Sequence, residues 1–157
     1  MIELIEPLTK EHCRALGPNL RECDMKEIWL SHHVQDGVKG LDDCRKSSCE
    51  SWCWSVGGKP VAAFGVCLIP YVPGYAIPWL LGSREIYRNI DSFLRISKLV
   101  VERWIKNYAV MVNFVHIDNH KSIKWLIWLG FTIFDCEEFG LEGELFYRFE
   151  IRRVKDV

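Results

Sequence analysis

The sequence has no long apolar segment and no excess of charge of one sign. Its most continuous apolar run, residues 60–71, is far shorter than the ~18–20 residues that cross a bilayer. The amino-terminal segment carries Glu3, Glu6, Lys10 and Glu11, where a signal peptide needs an uninterrupted apolar core. A formal net charge of -1 gives no attraction to nucleic acid or to an anionic membrane. These absences predict a soluble cytoplasmic protein with neither as a partner.

Paired cysteine motifs are also missing. Seven cysteines are an odd number, and without a secretory signal they predict reduced thiols in a cytosol. Cys44, Cys49 and Cys53 lie close together, but their spacing lacks the paired CxxC pattern of a zinc site and no histidine follows at ligand spacing. A catalytic cysteine is disfavoured because an activated thiolate needs a base or cation held against it in space, which the sequence cannot show. We therefore predict no metal site.

The remaining composition is that of one globular domain. A chain of 157 residues with 49% hydrophobic content can bury a substantial core. No internal repeat, low-complexity segment or linker divides it. We predict a single domain over residues 1–157.

Apolar periodicity predicts alternating strands and helices. Gly57 and Gly58 mark a tight hairpin, and apolar positions recur at helical spacing over residues 90–107. We expect loops at residues 37–40 and 82–88. The predicted strands are 1–7, 50–56, 60–69, 75–81, 110–117, 131–136 and 144–151, and the predicted helices are 9–16, 19–30, 41–46, 90–107 and 120–129. This order predicts an α/β or α+β fold, with helices on both faces of the sheet and a central parallel strand pair flanking the long helix.

One stretch carries a resemblance to a known family. Asn119 is followed by a small residue, Ser122, then by a short helix and the pair Gly130–Phe131. This spacing, together with the strand order, resembles the GCN5-related N-acetyltransferase (GNAT) superfamily. The resemblance implies a mostly antiparallel sheet whose central parallel pair is splayed. It further implies transfer of an acetyl group from acetyl-CoA to an amine of a protein or small molecule.

Three further segments, residues 24–28, 61–66 and 78–83, narrow the resemblance. They are similar to short GNAT-like proteins of tailed bacteriophages that are related to internal virion proteins of podophages. That similarity implies a phage protein in the cytoplasm of a bacterial host or in the virion.

The resemblance implies a set of acetyl-CoA contacts. The pantetheine arm would pair with the backbone of Leu80, Leu81 and Gly82, and Ser122 would contribute from the start of the following helix. The Asn119 amide would bond either the cofactor or its own turn. The family's pyrophosphate loop should fall at residues 87–92, but both of its glycines are missing, so side chains obstruct close approach of a phosphate to the backbone. Arg84 and Arg88 would then compensate by direct charge.

Catalytic groups are harder to assign. The family's proton-donating Tyr, seven residues after the Asn, is replaced by Leu126. The general base has two candidates, His116 and Asp118, at the end of the fifth strand. Each has a structural alternative, since His116 suits a buried structural role and Asp118 suits a turn cap.

Two functions are consistent with these observations. One is an N-acetyltransferase with a degenerate pyrophosphate loop. The other is a catalytically inactive GNAT-like protein that binds a phage or host protein, in virion assembly or against a host factor.

Overall fold

The computed structural model of the protein describes residues 1–154, so the last three residues of the predicted domain lie outside the described part. A single seven-stranded sheet carries helices on both faces. The strands are β1 (Glu3–Pro7), β2 (Glu50–Val56), β3 (Lys59–Leu68), β4 (Tyr75–Gly82), β5 (Val110–His116), β6 (Thr132–Phe139) and β7 (Glu144–Arg152). The helices are α1 (Lys10–Leu16), α2 (Glu22–His32), α3 (Gly37–Ser47), α4 (Glu85–Arg88), α5 (Ile90–Asn107) and α6 (His120–Leu129), with a 3₁₀ turn at Gly17–Asn19.

The strand order across the sheet is β1-β2-β3-β4-β5-β7-β6. Every neighbouring pair is antiparallel except β4 and β5, which are parallel. A parallel pair needs a crossover connection, and α5 supplies it. The predicted mixed, mostly antiparallel sheet with a central parallel pair is confirmed.

The parallel pair is splayed. Pairing between β4 and β5 is confined to Tyr75 with Val110 and Ala76 with Met111, at the beginning of both strands. The remaining residues of β4 continue to pair with β3, and those of β5 with β7. A gap therefore opens between the two strands toward their carboxyl ends.

Two apolar cores lie on the two faces of the sheet. The larger packs α5 and α6 on one face and includes Phe93, Trp104 and Leu126. The smaller packs α1 and α3 on the other face, around Leu16, Leu41 and the buried thiols of the core. No helix within residues 1–154 has the length and apolar character needed to cross a membrane.

Local signals explain most of the element boundaries. The Gly57–Gly58 turn has positive φ at both residues, +58° and +79°, as a two-residue hairpin between twisted strands requires. Gly130 closes α6 with φ of +106°, and the Thr9 side chain caps α1 by accepting a hydrogen bond from His12 N. The predicted hairpin and the predicted end of the helix at residue 129 are confirmed.

Two predicted loops are helical instead. Residues 37–40 form the first turn of α3, because the Asp36 side chain caps that turn. Gly37 allows close packing rather than a loop, since a Cβ at this position would lie 2.1 Å from Gly17 O. Within the predicted connection 82–88, Glu85–Arg88 form α4. The segment has no glycine after Gly82 to favour an open loop.

Candidate functional site

The gap between β4 and β5 is the centre of the candidate site. Backbone groups of successive strand residues point to opposite neighbours, so Pro78, Leu80 and Gly82 present theirs toward β5. Pro78 has no N–H to offer, and its carbonyl accepts a hydrogen bond of 2.7 Å from Asn113 Nδ2 of β5. The Asn113 amide thus bridges the narrow end of the gap. Beyond it, Leu80 presents an N–H and a carbonyl toward the opening.

A cavity of about 840 Å³ passes through this gap from one face of the sheet to the other. Most of its lining is apolar. On the α5 and α6 face its walls include Phe93, Val101 and Trp125. On the α2 and α3 face they include Ile77, Trp79, Phe114, Phe139 and Phe146. Two reactants approaching from opposite faces would meet between β4 and β5.

The end of β4 is clamped by α2. Asp24 Oδ2 accepts a 3.0 Å hydrogen bond from Gly82 N, and Gly82 O accepts one of 2.9 Å from Arg21 N. Arg21 donates to both oxygens of Asp24, at 2.9 and 3.1 Å. Burial disfavours the charge of Arg21, but the adjacent Asp24 carboxylate outweighs it and raises the pKa of Arg21. Of the three predicted backbone contacts, Gly82 is therefore occupied, Leu81 faces β3 and Leu80 faces the gap.

The predicted cationic contacts lie away from the cavity. Arg84 lies just before α4, Arg88 is the last residue of α4, and both are exposed. Arg88 Nη1 donates a 3.2 Å hydrogen bond to Glu85 Oε1. Neither side chain lines the cavity, which is instead bordered by two exposed lysines of α6, Lys121 and Lys124. Lys121 Nζ lies 4.6 Å from the ring centroid of Tyr87, another lining residue. Arg21 also lines this end and contacts Tyr87, but it is paired with Asp24. The two lysines of α6 therefore supply positive charge here in addition to that ion pair.

Asn119 and Ser122 are brought together at the start of α6. Asn119 Oδ1 accepts a 3.4 Å hydrogen bond from Ser122 N, which caps the helix. Asn119 Nδ2 donates a 3.0 Å hydrogen bond to Glu27 Oε1 of α2. The Asn119 amide is thus engaged within the protein at both ends, whereas Ser122 lines the cavity.

His116 and Asp118 lie beyond the wall of the cavity. His116 is buried, packs edge-on against Phe146 with ring centroids 5.2 Å apart, and accepts a 3.1 Å hydrogen bond from Asp118 N at Nδ1. Its Nε2 lies 3.4 Å from Glu144 Oε1 without the alignment of a hydrogen bond. The Asp118 side chain is 71% exposed. His116, at the end of β5, and Asp118 are therefore joined in the turn that follows this strand, and neither residue lines the cavity.

Glu27 is the ionisable group best placed at the gap. Its Oε1 accepts hydrogen bonds of 3.1 Å from His116 N and 3.0 Å from Asn119 Nδ2, while its side chain lines the cavity. Burial raises the pKa of Glu27, and the two hydrogen bonds offset this only in part. A partly desolvated carboxylate with a raised pKa is a better proton acceptor than an exposed one.

Sequence reasoning missed Glu27, although one signal was available. Asp24 and Glu27 are three residues apart and so share one face of α2, the face that meets the sheet. A helix whose inward face carries two carboxylates has weak apolar periodicity. The weak periodicity of α2 was therefore a signal that polar side chains of this helix face the sheet. The partners of Glu27, His116 and Asn119, are 89 and 92 residues away.

The splayed parallel pair, the crossover helix and the capped α6 define the GNAT fold. The fold agrees with that of Ard1 from Thermoplasma volcanium, with a TM-score of 0.73 at 13% identity over 99% of this chain and 100% of that one. The ribosomal-protein-S18-alanine N-acetyltransferase from Escherichia coli superposes with a TM-score of 0.68 at 12% identity, over 99% and 97% of the two chains. For yncA from Salmonella typhimurium, solved with acetyl-CoA, the TM-score is 0.66 at 11% identity, over 100% and 97%.

At these identities the likeness establishes the fold alone. No protein-family model and no curated protein sequence matches the chain. A fold of this kind does not determine the activity, which depends on the residues of the site.

Proposed function

We propose that the protein is an N-acetyltransferase that uses acetyl-CoA to acetylate an amine, with Glu27 as the general base. The observation that carries this proposal is the position of Glu27, a half-buried carboxylate at the mouth of a strand gap that opens to both faces of the sheet. His116 and Asp118 remain weaker candidates for the same role, because neither lines the cavity.

The residues present fit the acyl-bearing arm of acetyl-CoA. Leu80 presents backbone groups to the gap, as a pantetheine amide requires, and the apolar walls of the cavity exclude water from a thioester. The phosphate end departs from the usual pattern, since residues 87–92, where the glycine loop was expected, form the end of α4 and the start of α5. Lys121 and Lys124, rather than backbone N–H groups, would hold the phosphates, with Ser122 beside them and Arg84 and Arg88 adding long-range charge.

The chemistry follows from the position of Glu27. Acetyl-CoA supplies a thioester carbonyl carbon that forms the new C–N bond as its C–S bond breaks, with the electron pair leaving on sulfur. An ammonium group is not a nucleophile, so Glu27 must first take a proton from it and expose the nitrogen lone pair. The second amine proton leaves after attack and balances the proton that the sulfur gains from water. Leu126, buried in the core, offers no acid for that last step.

Titration calorimetry with acetyl-CoA tests the proposal. We expect saturable binding, followed by release of one free thiol per acetylated amine when an acceptor is added. Absence of heat up to millimolar acetyl-CoA would remove the proposal. Comparing Glu27→Gln with His116→Gln and Asp118→Asn then identifies the base, because only loss of the true base abolishes turnover without weakening acetyl-CoA binding.

A second candidate function has its own support. Gly82 is clamped by α2, the Asn119 amide is engaged internally, and helical residues stand where the phosphate loop was expected. Such features would suit a catalytically inactive protein that binds a phage or host partner, in the host cytoplasm or in the virion. Absence of acetyl-CoA binding together with a stoichiometric complex from infected cells would favour this function, and measured acetyl transfer would refute it.

A further inference from the structure

We infer that the acyl acceptor is a small primary amine with an apolar, aromatic-sized body. This inference rests on the proposed function, because it names the substrate class of the same site. It is carried by the half of the cavity on the α2 and α3 face, which we call the acceptor chamber. Its apolar walls are Ile77, Trp79, Phe114, Phe139 and Phe146, and Glu27 is its carboxylate at the strand gap. Other polar side chains of α2 and α3 also line it, among them Ser31, His32 and Ser47.

The walls of the acceptor chamber are built from ring faces. Phe114 stacks on Phe139 with ring centroids 4.1 Å apart, and Phe139 meets Phe146 edge-on at 5.3 Å. Ile77 and Trp79 project from β4 across the gap from Phe114. Phe114 and Phe139 are half-buried, so their remaining surface faces the chamber. An apolar body is the complement of such a surface.

The charge in the chamber fits a single ammonium group. Asp24, a fully buried carboxylate nearby, is paired with Arg21. Asp43 of α3 also lines the cavity, but its Oδ2 lies 2.7 Å from Lys39 Nζ. Glu27 has no cationic side chain within salt-bridge distance among residues 1–154. An ammonium group of the acceptor would therefore supply the positive charge that Glu27 lacks as a partner. Glu27 would then already contact the proton that it must remove.

The chamber is covered at one side, which limits the acceptor's size. The turn between β6 and β7 reaches the end of α2, where Leu141 N donates a 3.1 Å hydrogen bond to Leu30 O. His33 Nε2 and Glu142 Oε1, 2.6 Å apart, make a second contact. Gly140 is required there, because a Cβ would lie 2.4 Å from Leu30 O. With α2 and this turn joined, a compact molecule fits more readily than an extended polypeptide.

Two other classes of amine fit less well. A polyamine needs several free carboxylates spaced along its path, and the chamber offers Glu27 alone. A protein amino terminus needs an open groove with backbone partners, and the contact between α2 and the β6–β7 turn closes that side. A small apolar amine matches both features of the chamber, because its body packs against the aromatic walls and its ammonium group pairs with Glu27.

Equilibrium binding without acetyl-CoA tests this inference. The probes are 2-phenylethylamine, its uncharged analogue 2-phenylethanol, spermidine and a ten-residue peptide with a free amino terminus. We expect 2-phenylethylamine to bind at least about tenfold more tightly than each of the others. In Glu27→Gln the preference for the amine over the alcohol should disappear.

A matched pair of variants on β6 tests the aromatic wall. Phe139→Leu removes a ring that lines the chamber and should weaken 2-phenylethylamine binding about tenfold. Phe134→Leu removes an exposed ring outside the cavity and should leave binding unchanged. Equal effects of the two variants, or spermidine or peptide binding as tightly as the amine, would overturn the inference. If acetyl-CoA binds and 2-phenylethylamine does not, the inference alone fails; if the amine binds and acetyl-CoA does not, the proposed acetyl transfer fails.

Discussion

Replacing Glu27 with Gln should abolish activity without lowering stability, a combination that separates a base from a structural acid. The variant keeps an Oε1 acceptor for Asn119 Nδ2 and His116 N, so the turn at the end of β5 stays anchored. It removes the proton acceptor, and loss of a general base costs about 10²–10⁴-fold in rate. We expect kcat to fall in that range while acetyl-CoA affinity stays the same.

The stability of this variant follows from the pKa of Glu27. Burial raises that pKa in the folded state, so the contribution of Glu27 to stability is fully present below its unfolded pKa and is lost as the pH rises through the folded pKa. Each unit of that raise is worth about 1.4 kcal/mol. Gln cannot ionise and carries no such loss. At acidic pH the two proteins should therefore unfold alike, and at neutral pH the variant should be the more stable.

Urea unfolding at several pH values, with the variant and the wild type compared at each pH, measures this difference. The comparison cancels the titration of groups that the two proteins share. A variant that is less stable than the wild type by about 2 kcal/mol or more at neutral pH would refute the reasoning, because it would mean that the Glu27 charge stabilises the fold. Turnover retained within a few-fold would refute the catalytic role.

Asp24→Ala should destabilise the protein by about 3–5 kcal/mol in urea unfolding, because it leaves the buried charge of Arg21 without a partner; a loss below 1 kcal/mol would contradict the clamp. Lys121→Gln combined with Lys124→Gln should raise the KM for acetyl-CoA about tenfold, whereas Lys10→Gln on α1, outside the cavity, should leave it unchanged. Gly37→Ala should lower the free energy of unfolding by about 1–3 kcal/mol despite the better helix propensity of Ala, since its Cβ would meet a backbone oxygen at 2.1 Å; a more stable variant would contradict that contact.

The fold could be predicted where local chemistry and tertiary structure agree. Gly57 and Gly58 specify a hairpin, and the apolar stripe of α5 specifies a helix on a sheet. The Asn119 cap and Gly130 stop delimit α6. Each of these signals lies within one short segment, so the sequence alone contains all of the information that fixes the element.

The site could be predicted only in part, because its contacts join distant segments. The resemblance pointed to Leu80 and Asn119, but it could not show that the Asn119 amide bonds Glu27, or that Gly82 bonds Asp24. Both partners lie on α2, whose inward face is polar and whose pattern therefore resembles that of an exposed helix. The weak apolar periodicity of α2 indicates a polar inward face, but it does not identify partners that are 89 and 92 residues away.

The two carboxylates of α2 together fix the width of the gap. Asp24 holds the end of β4 through Gly82 N, and Glu27 holds the end of β5 through His116 N. Since β4 and β5 pair only at Tyr75 and Ala76, their far ends have no ladder of their own to set their separation. One turn of α2 spans the opening and supplies that restraint. Glu27 is therefore both the anchor of β5 and the proposed base, which places the proton acceptor at a fixed distance from the gap where the acetyl group would arrive.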